Sequence, residues 1–251
     1  MTLIAGYQID ILVQGYPGKT VCHGGLGWST IALLRGHGRV ALIDVGAFAQ
    51  RQPLLDGLRA LGLAPADVTD VLLTHSHWDH AVNWVAFPHA RIAIGAQELD
   101  WSLSEPWGLT PVPELYVREL ARHPRLDRIA PGAPILPHLT AHAAPGHTPG
   151  HLIFHLQSDL HDVLFTGDAA KNRAELLSLS ADMTDDPAIS RASMEFIWIL
   201  WRQKPGTLLI PGHDLPMRLE NDHPAYTTTR TAGIRAWFDD TIDEMRLFPL
   251  T

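Results

Sequence analysis

The stretch Thr74-His75-Ser76-His77-Trp78-Asp79-His80 constrains this chain more than any other. Three imidazoles and a carboxylate fall within six residues, directly after the apolar run Val71-Leu72-Leu73, which reads as a strand. A strand end followed by a tight turn can aim several side chains at one point. Imidazole nitrogen and carboxylate oxygen are the atoms that hold divalent transition ions such as zinc. Burying this set without a cation would leave desolvated polar atoms uncompensated. The fold must therefore be one that gathers ligands at the end of a sheet.

A chain of 251 residues can bury a sizeable core as one large domain or two small ones. Apolar residues make up 46% of it and its mean hydropathy is near zero, the profile of a soluble globular protein. No apolar run approaches the roughly 20 residues of a membrane span. Met1 to Tyr16 carries no basic stretch ahead of its apolar residues, so no export signal is expected. The single cysteine, Cys22, excludes an internal disulfide and suits a reducing, cytoplasmic setting. A formal net charge of −8 argues against a nucleic-acid partner. The expected partner is a small-molecule substrate, with neither nucleic acid nor membrane.

Residues Ile9 to Val13, Ser29 to Leu34 and Val40 to Val45 read as strands, the last two joined by the turn Arg35-Gly36-His37-Gly38. Pro53 to Leu61 has helical periodicity through Leu54, Leu55, Leu58 and Leu61, and Gly62 stops it. A short helix is expected over His80 to Val85 and a strand over Arg91 to Ile94. Residues 95–133 break the rhythm with Trp101, Pro106, Trp107, Pro111, Pro113 and Tyr116, leaving one helix near Glu114 to Arg122. Either a surface excursion or a substrate-lining or interface insert fits this segment. Its tryptophans, together with Trp198 and Trp201, leave room for a homodimer contact.

Beyond the insert, Leu139 to Ala143, His151 to Leu156, Val163 to Thr166 and Thr207 to Ile210 read as strands, and Ala188 to Trp201 as a helix. His223 to Arg246 reads as a mostly helical terminus with an acidic face of Asp239, Asp240, Asp243 and Glu244. The expected arrangement is a single α+β domain over residues 1–251, two sheets covered by helices on their outer faces.

Four strands end in potential ligands: the His75/His77/Asp79/His80 cluster, His147, Asp168 and His213. The last three sit on glycine-bearing turns, which allow a side chain to point back over a sheet edge. Five imidazoles and two carboxylates are too many for one tetrahedral ion and suit two ions sharing a bridge.

In order and context these segments resemble the metallo-β-lactamase-fold hydrolases. The strings that carry the resemblance are Thr74 to His80, Ala144-Pro145-Gly146-His147-Thr148-Pro149-Gly150-His151, Phe165-Thr166-Gly167-Asp168 and Ile210-Pro211-Gly212-His213. They span nearly the whole chain, from about Ile9 to Met217. The resemblance implies a four-layer αββα sandwich with metals at one edge between the sheets, and it is nearest to glyoxalase-II-like thioesterases and lactonases. It implies that His75, His77 and His147 hold one ion, that Asp79, His80 and His213 hold a second, and that Asp168 bridges them. Two zinc ions are expected, with manganese and iron as alternatives. His151 is expected to be structural rather than a ligand, Asp44 to orient a ligand imidazole through a hydrogen bond, and Trp78 to cover the site.

Two such ions generate a hydroxide between them and stabilise a developing oxyanion. The expected reaction is attack on an ester-like carbonyl: lactone, thioester or lactam. Asp79 is the candidate that both ligates and orients the nucleophile. Lys171 is the second candidate catalytic residue; it stands three residues beyond Asp168, where acyl-homoserine-lactone-cleaving relatives usually carry Tyr, and this departure weakens that substrate without excluding another lactone. Lys171 and Arg173 are also candidates for binding an anionic substrate group. The single acidic helix expected after His213 disfavours glutathione thioesters, which such enzymes bind through a dedicated C-terminal extension. A phosphodiesterase or nuclease of the same fold is the alternative, since paired metals serve phosphoryl oxygens equally well.

Overall fold

The computed structural model describes residues 3–21, 24–238 and 240–250; Cys22 and Asp239 lie outside them. Neighbouring side chains on one strand enter different cores, which is the reason for the layered plan. The first sheet runs in chain order: β1 (Gln8–Val13), β2 (Ile31–Gly36), β3 (Arg39–Ile43), β4 (Asp70–Leu72), β5 (Arg91–Gly95) and β6 (Leu126–Ile129). The first three strands are antiparallel and the remaining pairings parallel. His37 and Gly38 turn β2 into β3 with φ of 51° and 70°, the two left-handed residues that a tight hairpin of this hand requires.

The second sheet comprises β7 (Pro134–Leu136), β8 (Leu139–Ala143), β9 (Leu152–Leu156), β10 (Val163–Gly167), β11 (Leu208–Pro211), β12 (Met217–Glu220) and β13 (His223–Tyr226), again in chain order across the sheet. Only the β10–β11 pair is parallel.

Leu34, Ala41, Ile43 and Leu72 of the first sheet meet Leu139, Ala141, Phe154 and Phe165 of the second in a core between the sheets. The alternate residues Leu33, Leu42, Val71 and Ile92 face outward. They pack against Leu54 and Leu58 of α1 (Arg51–Ala60), Leu99 of α3 (Ala96–Ser104) and Val117 and Leu120 of α4 (Glu114–Leu120). On the far side Ile153, Leu164 and Leu209 pack against Leu176 of α5 (Arg173–Ser178) and Met194, Ile197 and Trp201 of α6 (Pro187–Gln203). This is the expected αββα order. Burial on both faces is why the strands are continuously apolar rather than alternating. Among the described residues no helix is long and apolar enough to cross a membrane.

Most expected elements form within a residue or two of their predicted limits, and three expectations change. The short helix near His80 starts earlier, as α2 (Trp78–Ala81), and continues as a 3-10 turn over Val82–Ala86. The insert is more regular than expected, contributing α3 and β6 as well as α4. The helical terminus does not form. Its first part is the edge strand β13, and its last part is a separate two-stranded ribbon, β14 (Gly233–Ala236) with β15 (Arg246–Pro249). Pro224 fits an edge strand, and the β-branched run Thr227-Thr228-Thr229 with Gly233 opposes helix. Trp201 is only 1% exposed, its indole N–H donating to the Thr207 carbonyl, and Arg202 stacks over Trp198. Trp201 therefore belongs to the core and not to a contact surface.

Candidate metal centre

Four loops at one edge of the sandwich converge. β4 ends at Leu72, and the Thr74 carbonyl accepts from the Leu152 amide, so the first ligand loop is stitched to the second sheet. Gly146 (φ 122°) turns the His147 loop beneath α6, where a side chain would run into the Ser190 backbone. Gly167 (φ 47°) closes on Thr74 and releases Asp168 from β10. The His213 amide donates to the Lys171 carbonyl at 2.7 Å, and Thr30 donates through its hydroxyl to the Pro211 carbonyl.

All seven predicted ligands meet. They form three overlapping groups: His75, His77 and His147; His75, His80 and Asp168; Asp79, His80 and His213. His77 Nδ1 lies 3.0 Å from His147 Nε2, and His80 Nε2 lies 3.2 Å from His213 Nε2. Asp168 stands between the halves. Its Oδ1 is 3.1 Å from His80 Nε2 and 3.2 Å from His213 Nε2, while its Oδ2 is 3.3 Å from His147 Nε2. Asp79 Oδ2 reaches His213 Nε2 at 3.3 Å and is the only partly exposed member.

The two halves differ electrostatically. Burial holds the His75 imidazole well below its ordinary pKa, and the neighbouring imidazoles push the same way. For His77 burial outweighs the attraction of Asp79 and Asp168, pushing it to about 4, and it holds His147 well below the usual range despite Asp168. On the other side burial also opposes charge, but Asp168, Asp79 and Asp44 outweigh it and hold His80 well above the ordinary value. Asp168 and Asp79 raise His213 in the same way. Burial would raise the Asp168 carboxyl, yet His213, His80 and His147 together hold it well below the carboxylate range. Neutral imidazoles and ionised carboxylates are the forms that bind metals.

The polar inventory tests whether a metal fits. His75 Nε2 is buried with no hydrogen-bond partner, and Asp168 Oδ1 meets only the His80 and His213 nitrogens, at 3.1 and 3.2 Å. A buried acceptor left this way costs about 1–3 kcal/mol. Facing imidazole nitrogens at 3.0 and 3.2 Å likewise need a proton or a cation between them. Nitrogen and carboxylate donors so arranged fit divalent ions such as zinc.

The neighbouring residues divide. Asp44, with φ of 53°, accepts from the Thr74 amide and hydroxyl and pairs with His80 Nδ1 at 2.8 Å, the orienting contact expected of it. His151 is pushed to about 3 by burial, and its Nε2 accepts from the Asp168 amide at 3.0 Å. It therefore aims the Asp168 backbone and lies outside the ligand groups. Lys171 Nζ is shielded from solvent, 3.2 Å from Glu175 Oε1, and its charge helps depress His77 and His147. Arg173 donates through Nε to the Pro224 carbonyl. Trp78 is 46% exposed.

Sequence reasoning passed over Glu98 and Asp214. Both are buried carboxylates gripping ligand loops. The available signal for Glu98 was its place beside Leu99 on the buried side of α3.

The chain belongs to the metallo-beta-lactamase superfamily, whose family model matches residues 24–223. Among relatives, the hydroxyacylglutathione hydrolase of Fuscovulum blasticum is 32% identical over 179 residues, 70% of this chain and 58% of that protein. The N-acyl homoserine lactonase AttM of Agrobacterium fabrum is 29% identical over 184 residues, 66% of this chain and 67% of that protein. Matches to metallo-beta-lactamase domain-containing protein 1 span only 37% of the Xenopus laevis protein and 59% of the human one. The dizinc quorum-quenching lactonase AidC superposes with a TM-score of 0.68 at 19% identity, covering 91% of this chain and 94% of AidC. An N-acyl homoserine lactone hydrolase with a product at its catalytic metal center gives 0.68 at 17% identity, covering 85% and 94%.

Proposed function

We propose that this protein is a binuclear metal-dependent hydrolase that cleaves an ester-like carbonyl of a small molecule. His75, His77 and His147 would hold one ion, Asp79, His80 and His213 the other, and Asp168 both. The observation that carries this reading is the two-sided reach of Asp168, with one oxygen on each half of the cluster. Zinc suits the donor set and is the metal named for AidC. When bound, such ions supply an activated water at neutral pH and polarise the substrate oxygen. The chain's own residues do the rest. Asp44 and His151 fix His80 and the Asp168 backbone, and Asp79, the one partly exposed member, would meet incoming water.

Lactones and thioesters are the favoured substrates, because relatives at about 30% identity carry lactonase and hydroxyacylglutathione hydrolase names. The test is a panel of lactone, thioester, lactam and bis-p-nitrophenyl phosphate substrates, each with and without chelator. Chelator-sensitive turnover of a carbonyl substrate supports the reading. Turnover of the phosphodiester alone would replace it with the phosphodiesterase alternative.

Lys171 narrows the substrate further. One of its three N–H groups faces Glu175, and the other two, buried without a partner, would meet a substrate anion once binding opens the site to them. A hydrogen bond to a charged group contributes about 1.5–3 kcal/mol. Lys171→Met should therefore raise KM for a carboxylate-bearing substrate roughly tenfold to a hundredfold, while a neutral analogue shifts little. Equal shifts for both would remove Lys171 from substrate recognition.

A further inference from the structure

Buried carboxylates beside the cluster that do not belong to it include Asp44, Glu98 and Asp214. Asp44 takes the Thr74 and His80 side. Asp214, next to His213, accepts from the Arg173 amide, the Tyr226 hydroxyl, the Leu215 amide and Arg230. Glu98 has a different geometry. Its Oε1 accepts from the Ser76 amide at 2.9 Å and the Ser76 hydroxyl at 2.8 Å. Its Oε2 accepts from the Thr148 hydroxyl at 2.7 Å and the Gly150 amide at 3.2 Å.

Each oxygen thus serves one loop. Ser76 lies between His75 and His77, and Thr148 follows His147. Glu98 is fully buried, and no cation pairs with it among the described residues. A side chain at Gly150 would stand 2.1 Å from the Glu98 nitrogen, so glycine there lets the start of α3 press onto the His147 loop. The carboxylate is the strut that spaces two loops which share no strand pairing.

We propose that Glu98 is the positioning residue for one half of the metal centre. It sets the separation of the His75/His77 loop from the His147 loop, so the ion held by those three imidazoles depends on it. The ion held by Asp79, His80 and His213 depends on it far less, because His80 is held directly by Asp44, which also accepts from Thr74 beside His75, and the His213 loop is held by Asp214. This rests on the two-ion reading above. Four donors converge on Glu98, and no neutral side chain accepts from all of them. In Glu98→Gln one oxygen still serves a loop, while the amide NH₂ confronts the donors of the other.

The experiment is a titration of the metal-stripped chain with cobalt(II), followed by calorimetry and by the ligand-field spectrum. Partners that orient metal ligands typically change affinity about tenfold to a hundredfold. Wild type should take two ions. Glu98→Gln should bind one with wild-type affinity and the other about tenfold to a hundredfold more weakly, with one of the two spectral components altered. Asp214→Asn should weaken the opposite ion. Thr148→Ala, which removes one donor and leaves the carboxylate in place, should reproduce the Glu98→Gln asymmetry on a smaller scale, and it covers the case in which Glu98→Gln fails to fold. If both ions weaken equally, or both keep wild-type affinity in a folded Glu98→Gln protein, the strut assignment is wrong while the two-ion reading stands. A wild-type protein that takes up no cobalt overturns both.

Discussion

Replacing Asp168 by Ala should lower kcat/KM by on the order of 10³ or more and remove at least one ion from the protein. A single preorganised group aimed at developing charge is commonly worth 10²–10³, and a shared ligand serves two such centres. A thousandfold loss corresponds to about 4 kcal/mol of transition-state stabilisation. The geometry explains why no neighbour substitutes. Asp168 has one oxygen at 3.1 and 3.2 Å from His80 and His213 and the other at 3.3 Å from His147. Asp79, the other carboxylate of the cluster, contacts only His80 and His213. Asp168→Asn is the sharper variant because it keeps the shape and the His151 contact to the backbone while losing the charge. In metal-free protein it should also lower the pKa of His80 and His213, since Asp168 is the foremost of the carboxylates that raise them. Elemental analysis, steady-state kinetics and imidazole proton resonances read the three consequences separately. A variant that keeps two ions and full turnover would remove the bridge and with it the proposed function.

The convergence of the candidate ligands was legible in the sequence because the polar residues are concentrated at strand ends. A strand such as Val71-Leu72-Leu73 is recognisable by its apolar run, and the polar residues that follow have nowhere to go except the sheet edge. The braces behind the ligands were not legible. Glu98 sits in Ala96-Gln97-Glu98-Leu99, where a carboxylate on a helix is ordinarily solvent-facing, and only the tertiary approach of Ser76 and Thr148 makes it a buried acceptor. In the terminal segment the acidic residues near 240 suggest a helix face, but Pro224, the threonine run and Gly233 decide the backbone locally. The insert was illegible for the opposite reason. Its prolines and tryptophans mask a helix, α3, whose Leu99 packs on the first sheet like any other core residue.

Stripped of metal, the protein should lose stability steeply as pH falls from about 7 to 4, and zinc should shift that loss to lower pH. The sign follows from the imidazoles that burial depresses. His77, at about 4, and His151, at about 3, both start from an unfolded value near 6.5, so the unfolded state binds more protons across that window. Their contribution is complete above about 6.5 and is lost as pH falls through the folded values. At about 1.4 kcal/mol per pKa unit, each is worth a few kcal/mol. His75 and His147 act in the same direction. His80 and His213 act in the other: their raised values give stability below the unfolded pKa that disappears as pH rises through the folded one. The metal-free protein should therefore be most stable near neutrality and decline on both sides. Bound zinc requires the ligand imidazoles to be deprotonated, so protons must compete with the ion before the acid limb begins. His151 is not a ligand, and its share of the acid limb should persist in the loaded protein. Urea midpoints measured from pH 4 to 9, with and without chelator, decide the matter. A flat metal-free profile between pH 7 and 4 would show that the buried imidazoles are not held neutral by the fold.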